Sequence, residues 1–216
     1  MKLHEIFEQV VRENPNAIAV KFQGKAFTYQ QINEQANKLA NLLKTKLPKE
    51  LKDQPIIGVH LSPSENPLIA MLAISKLGCI YLPLSPGAEA ASLETICKNT
   101  PPHIVIHEEK SDLEPLKLNQ DCVRVSIDSE NVISQVNTLD AQNLAKITTA
   151  DENLIAYYIY SSGTTGAPKC IPIAHRGLGK WALKLQELNY NSQRAVLSHI
   201  PTSFDAHIWE YIMSGE

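Results

Sequence analysis

The chain has 216 residues, of which 44% are hydrophobic, and its formal net charge at pH 7 is -3. This length suits one large domain or two small ones around a buried core. The slightly negative charge argues against a general nucleic-acid-binding surface.

The N-terminal segment and the cysteines indicate a compartment. The first residues, MKLHEIFEQVV, place Glu5 and Glu8 where a signal peptide requires an apolar stretch, and no run is long enough to span a membrane. The four cysteines form neither a Cys-x-x-Cys pair nor a cluster with histidine, so reduced thiols and no metal site are predicted. We expect a cytoplasmic protein with no membrane or nucleic-acid partner.

The predicted elements begin with a helix, a hairpin and a second helix. The apolar residues of LHEIFEQVVREN recur at helical spacing, and AIAVKFQGKAFTY predicts two short strands around Gln23-Gly24. The following segment, QQINEQANKLANLLK, has one apolar helical face, formed by Ile32, Ala36, Leu39 and Leu43.

Strands and helices then alternate. Short strands are predicted at IIGVHL, CIYLPL, HIVIHE and CVRVSI. Ser64 can cap the helix ENPLIAMLAISKL, Gly78 can end it, and another helix is predicted over about 88–98. Residues 108–120 are predicted to form a loop and residues 128–150 a connection. This alternation predicts an α/β fold with a mostly parallel sheet flanked by helices.

The most informative stretch is LIAYYIYSSGTTGAPK, where a strand-like run leads into small residues and then a lysine. Open α/β sheets bind ligands at the carboxyl ends of their strands. The glycines allow several backbone amides to face one anion, hydroxyls add neutral donors and the lysine adds positive charge. Such a loop suits a polyphosphate. The residues predicted to bind it are Ser161, Ser162, Gly163, Thr164, Thr165, Gly166 and Lys169.

The pattern of this loop has two other interpretations. Glycine and serine also mark ordinary turns, and on the pattern alone the two interpretations are about even. A Walker A loop is excluded, because Lys169 lies three residues after Gly166 and is followed by Cys170 rather than by serine or threonine.

Four segments, in this order along the chain, carry a resemblance to a known family: FTYQQINEQANKLANLL, MLAISKLGCIYLPLSP, YIYSSGTTGAPK and SFDAHIWE. They resemble core motifs of the adenylate-forming, AMP-binding superfamily, most like the N-terminal part of a nonribosomal peptide synthetase adenylation domain. The resemblance implies that residues 1–216 are an incomplete N-terminal portion of that family's large domain, without its later motifs and C-terminal subdomain. The sequence departs from the family pattern at Ser85, Cys170 and His207, where aspartate, glycine and serine are usual.

The resemblance also implies a reaction. A carboxylate attacks the α-phosphorus of ATP, pyrophosphate leaves, and the acyl group passes to the phosphopantetheine thiol of a carrier domain. Catalysis of this kind rests on positioning and electrostatic stabilisation. ATP and Mg²⁺ are implied, with the Mg²⁺ ligand expected outside this chain. No catalytic side chain is assigned within it, and the chain alone is expected to be inactive.

The substrate-binding residues implied by the resemblance are Asp205, which would contact the substrate amino group, with Ala206 beside it and Trp209 among the side-chain selectors. Asp205 and Trp209 are four residues apart and share a helical face. A capping interpretation stays open, because Thr202-Ser203-Phe204-Asp205 fits the pattern in which the carboxylate only bonds the start of a helix.

The sequence leaves three functions open. The first is activation of an amino acid for nonribosomal peptide synthesis. The second is an acyl- or aryl-acid or CoA ligase of the same superfamily, whose substrate has no ammonium group and needs no acidic partner. The third is a noncatalytic remnant or interaction module that keeps only the fold.

Overall fold

The computed structural model describes residues 2–48, 50, 53–145, 153–161, 168–178 and 207–208. Helices and strands alternate along most of this length, as the sequence predicts. The helices are α1 (Leu3–Glu13), α2 (Tyr29–Lys46), α3 (Asn66–Lys76), α4 (Ala90–Asn99) and α5 (Glu130–Asn137). The strands are β1 (Ile18–Phe22), β2 (Lys25–Thr28), β3 (Ile56–His60), β4 (Ile80–Pro83), β5 (Ile104–His107), β6 (Val123–Ser126), β7 (Ile155–Ser161) and β8 (Lys169–Ala174).

The main sheet has six strands in the order β6-β5-β3-β4-β7-β8. All neighbouring pairs are parallel except β7 and β8, which are antiparallel. The strands β1 and β2 form a separate antiparallel hairpin. The predicted mostly parallel sheet flanked by helices is therefore confirmed.

Local sequence signals set the element boundaries. The backbone at Gln23 and Gly24 has positive φ, at 46° and 79°, which turns the β1–β2 hairpin. Thr28 Oγ1 accepts a hydrogen bond of 3.2 Å from the Gln31 amide and caps α2. Gly78, with φ 66°, ends α3: its amide donates to the Ser75 carbonyl at 3.1 Å.

Alternating side chains place a hydrophobic core on each face of the sheet. The main core lies where α1, α2, α3 and α5 pack on residues such as Ile57, Ile104 and Tyr157. The second core lies on the opposite face, where α4 packs on residues such as Leu82 and Val105. The sheet is therefore the middle of three layers.

Two regions differ from the sequence prediction. Residues 130–137 form α5 within the segment predicted as a connection, and a short 3₁₀ helix, Glu114–Leu116, lies in the predicted loop. Helix α5 has only eight residues and buries only Val132, so its apolar face is too short to stand out in the sequence. Its start is nevertheless capped, since Ser129 Oγ accepts from the Val132 amide at 3.4 Å.

The structure describes all four cysteines, and none of them is in a disulfide. Cys79, Cys97 and Cys122 are buried free thiols, and Cys170 is an exposed one. Within the described ranges, no group of three or more His, Cys, Asp or Glu side chains could hold a metal ion. No helix in the described part of the chain is long and apolar enough to cross a membrane.

Candidate nucleotide-binding site

The end of the β7–β8 hairpin brings together two of the predicted phosphate-binding residues. Ser161 is the last residue of β7, Lys169 is the first residue of β8, and the two are directly opposite in the antiparallel ladder. Both are exposed. Residues opposite one another in such a ladder share a face, with Cβ atoms about 4.5–5.5 Å apart. A hydroxyl and an ammonium group therefore stand side by side at one end of the hairpin.

The connection between these residues joins two antiparallel strands. Phosphate-binding loops of the P-loop type lead from a strand into a helix, whose N-terminal amides and dipole attract the anion. Here the chain returns as β8, so no helix begins directly after the lysine. An anion at this end would depend on the side chains of Ser161 and Lys169 and on the amides of the connection.

The remaining predicted site residues lie outside the described part of the chain. For the phosphate group they are Ser162, Gly163, Thr164, Thr165 and Gly166, and for the substrate group they are Asp205, Ala206 and Trp209. Of the ten predicted site residues, the structure thus describes the two that bracket the loop.

One face of the sheet carries the two described hairpin residues and the described residues that follow Asp205 in the sequence. Side chains alternate along a strand, so Tyr157, Ile159 and Ser161 point to the same face of β7. Tyr157 and Ile159 belong to the main core, and Lys169 shares their face through its pairing with Ser161. Ile208, three residues after Asp205 in the sequence, is also buried in the main core.

His207 connects this face to β4. Its side chain is fully buried, and its Nε2 shares a hydrogen bond of 3.2 Å with the hydroxyl of Tyr81. Tyr81 is opposite Tyr157 in the β4–β7 ladder, and β7 ends at Ser161, four residues after Tyr157. The segment that contains His207 is thus attached beside the strand that leads to the hairpin. In the sequence, this histidine stands out only as a departure from the usual serine.

The opposite face of the hairpin is anchored to the end of α4. The hydroxyls of Tyr160 and Thr100 are hydrogen-bonded to each other. Thr100 Oγ1 also donates to Cys170 Sγ at 4.0 Å. Burial raises the pKa of Tyr160 to about 12, so its hydroxyl stays protonated at neutral pH. Cys170, which replaces a usual glycine, therefore has a structural contact on the face away from Lys169.

A second polar cluster lies near the other end of the hairpin, where β8 ends at Ala174. The His4 Nδ1 and Ser75 Oγ share a hydrogen bond of 2.9 Å. Lys76 is only 3% exposed, forms an ion pair with Glu8 and donates to Asn33 Oδ1 at 2.9 Å. These contacts connect α1, α2 and α3 and involve none of the predicted site residues. They therefore hold these three helices together.

Comparisons with known proteins define the class. The family model described as AMP-binding enzyme matches residues 7–214. Tyrocidine synthase 3 of Brevibacillus parabrevis is 29% identical over 212 residues, which are 98% of this chain and 3% of that protein. The crystal structure of the nonribosomal peptide synthetase FmoA3 in its α-methyl-L-serine-AMP-bound form has a TM-score of 0.83, with 20% identity over 100% of this chain and 23% of the other.

A third comparison adds a different ligand. The N-terminal subdomain of Klebsiella oxytoca NpsA, in complex with 3-hydroxybenzoyl-AMSN, has a TM-score of 0.78, with 23% identity over 99% of this chain and 52% of the other. The chain belongs to the family of AMP-binding enzymes. Its fold is that of the N-terminal subdomain of adenylate-forming enzymes. It spans only 3% and 4% of the two peptide synthetases Tyrocidine synthase 3 and Bacitracin synthase 1.

Proposed function

We propose that this chain is the nucleotide-binding part of a ligase that activates an amino acid as its adenylate for nonribosomal peptide synthesis. The observation that carries the proposal is the pairing of Ser161 with Lys169 at the end of β7, within a chain that the AMP-binding family model matches over residues 7–214. The aminoacyl group would pass to the phosphopantetheine thiol of a carrier domain.

In this proposal the hairpin end binds the polyphosphate of ATP. Lys169 is exposed and free to approach the β- or γ-phosphate, and the Ser161 hydroxyl beside it donates a second hydrogen bond. Ser162, Thr164 and Thr165 add hydroxyl donors, while Gly163 and Gly166 let the backbone approach closely.

These groups would stabilise the charge that develops as pyrophosphate leaves. When bound, Mg²⁺ would neutralise phosphate charge. No described residue is assigned to the ion, since the described ranges contain no group of three possible ligands.

Asp205 would bind the α-ammonium group of the substrate. A buried ammonium requires an anionic partner, because unpaired burial of a charge is costly. His207 and Ile208, which follow Asp205 by two and three residues, are fully buried on the sheet face that Ser161 and Lys169 share. This placement supports a substrate carboxylate and an ATP phosphate meeting on that face. Ala206 and Trp209 would border the substrate side chain.

The 216-residue chain is proposed to be inactive alone, since the motifs for ribose, Mg²⁺ and the reacting carboxylate are not among its residues. The test therefore uses a completed domain, in which this chain is joined to the remaining part of an adenylation domain. The isolated chain should show no amino-acid-dependent exchange of pyrophosphate into ATP above a no-enzyme control.

A second function rests on one specific observation. The ligand in the NpsA neighbour carries a 3-hydroxybenzoyl group, which has no ammonium. An aryl-acid ligase of the same fold would use the same phosphate hairpin and would not depend on Asp205 for charge pairing.

Trapping of the adenylate with hydroxylamine distinguishes these functions in the completed domain. Each of the twenty common amino acids and a panel of benzoic and fatty acids would be supplied with ATP. We expect hydroxamate only from amino acids, and its loss in the Asp205→Ala variant with the KM for ATP unchanged. Truncating one member of a buried charge pair costs about 2–5 kcal/mol.

Hydroxamate from simple acids alone, or an Asp205→Ala variant that still activates its amino acid, would contradict amino-acid activation. No hydroxamate from any acid would favour a noncatalytic protein.

A further inference from the structure

We propose that His207 is a positioning residue: its hydrogen bond to the Tyr81 hydroxyl holds residues 207–208 against β4 and thereby orients Asp205, two residues earlier in the chain. The inference deepens the proposed function, since it concerns how Asp205 is set in place. The bond joins Nε2 to the hydroxyl oxygen at 3.2 Å, and its donor depends on the imidazole tautomer.

Burial makes this contact specific. His207 has 0% and Tyr81 has 2% of its surface exposed, so neither side chain can exchange this bond for one to bulk water. The rings also pack on each other, with centroids 5.9 Å apart and planes inclined by 52°. An imidazole reaches this hydroxyl from the helical backbone of residues 207–208. Serine, with its much shorter side chain, would leave the space that the imidazole fills against Tyr81.

Tyr81 also connects the two halves of the proposed site. It lies on β4, opposite Ile57 on β3 and opposite Tyr157 on β7. Tyr157 is four residues before Ser161 on the same strand face. The hydrogen bond to Tyr81 therefore links residues 207–208 to the strand that leads to the phosphate hairpin. A shift of that segment would move the ammonium contact relative to the phosphates and leave the hairpin unchanged.

The first test measures the segment directly, in the 216-residue chain. Hydrogen exchange is followed by mass spectrometry in the parent and in Tyr81→Phe, which removes only the hydroxyl and keeps the ring. We expect exchange about three- to tenfold faster in peptides covering residues 203–212 and unchanged exchange in β3 and β5. The matched control is Tyr29→Phe, which removes a hydroxyl from an equally buried ring that packs on Phe7. The control should leave residues 203–212 unchanged.

Either of two other outcomes of the exchange measurement would overturn the proposal. Unchanged exchange at residues 203–212 would show that the hydroxyl does not hold the segment. Faster exchange throughout the chain would show that it stabilises the whole core and positions nothing in particular. This readout does not depend on adenylation, so it is independent of the proposed function.

The second test is kinetic and uses the completed domain. Tyr81→Phe and His207→Leu should each raise the KM for the amino acid about five- to tenfold and leave the KM for ATP unchanged. In His207→Gln, the side-chain amide can bond the hydroxyl as donor or acceptor. The KM for the amino acid in this variant should therefore stay close to that of the parent.

Equal changes in both KM values, or equal effects of leucine and glutamine at position 207, would contradict a positioning role. If Asp205→Ala also leaves activation intact, the proposed function fails, and the exchange measurement still decides the role of His207.

Discussion

Lys169 is the residue on which nucleotide binding depends most in this account. The side chain is exposed at the start of β8 and lies opposite Ser161, so its removal should change stability by about 0.5 kcal/mol or less. Losing a charge-assisted phosphate contact should cost about 1.5–3 kcal/mol. In a completed domain, Lys169→Ala should therefore raise the KM for ATP about ten- to hundredfold, as measured by steady-state kinetics.

Lys25 provides the matched control for this prediction. It is also the exposed first residue of a strand that follows a hairpin turn, in β2. Lys25→Ala should leave the KM for ATP unchanged. Parent-like ATP kinetics in Lys169→Ala would refute the role assigned to the lysine.

At the scale of elements, the central strand β3 is closely packed at Gly58. A Cβ atom there would lie 2.7 Å from Leu84 Cδ1 and 3.2 Å from Val105 Cγ2. Leu84 is fully buried in the second core, so its side chain cannot turn out into solvent without leaving that core. Gly58→Ala should therefore destabilise the chain by about 1–3 kcal/mol, through overpacking.

Chemical denaturation of the chain measures the predicted loss of stability in Gly58→Ala, with Gly87→Ala as the control. A Cβ at Gly87 would meet no atom within 4 Å, so that variant should stay within about 0.5 kcal/mol of the parent. Equal stability of the two variants would mean that β3, β4 and β5 do not pack as described.

Elements with strong local signals could be predicted from the sequence, and those without could not. The periodic apolar faces of α1 and α2 and the glycine at the end of α3 predicted those helices correctly. Helix α5 was missed because it buries a single residue, and β8 was missed because four of its six residues are exposed. The pairing of Ser161 with Lys169 depends on that unpredicted strand. The contact between Tyr81 and His207 spans 126 positions, which no local pattern reveals.

At the scale of the whole molecule, buried neutral histidines should make stability depend on pH. Burial, with Lys76 nearby, lowers the pKa of His4 to about 3, and burial lowers the pKa of His175 to about 4. His175 is 1% exposed, and neither ring nitrogen has a hydrogen-bond partner in the described part of the chain. Each histidine binds a proton near pH 6.5 when unfolded and resists it when folded.

The free energy of unfolding should therefore be highest above about pH 6.5 and should fall as the pH drops towards 4. At pH 5 each of these two histidines should lower the free energy of unfolding by about 2 kcal/mol relative to pH 7. Burial also lowers the pKa of His60, which adds in the same direction. Urea unfolding from pH 7 to pH 5 measures the slope.

The variant His175→Leu isolates one contribution to that slope. It replaces an unpaired buried ring by an apolar side chain, so stability at pH 7 should change little. The loss of stability between pH 7 and pH 5 should shrink by about 2 kcal/mol. A slope identical to that of the parent would show that His175 is not buried as a neutral ring.

Exchange of labelled pyrophosphate into ATP, in the completed domain, tests the proposed activity most directly. The reaction reports reversible formation of the adenylate and needs no carrier domain. We predict that exchange requires an amino acid and that it falls about ten- to hundredfold in Lys169→Ala at subsaturating ATP. Exchange that proceeds equally well in Lys169→Ala, or that no amino acid supports, would contradict this prediction.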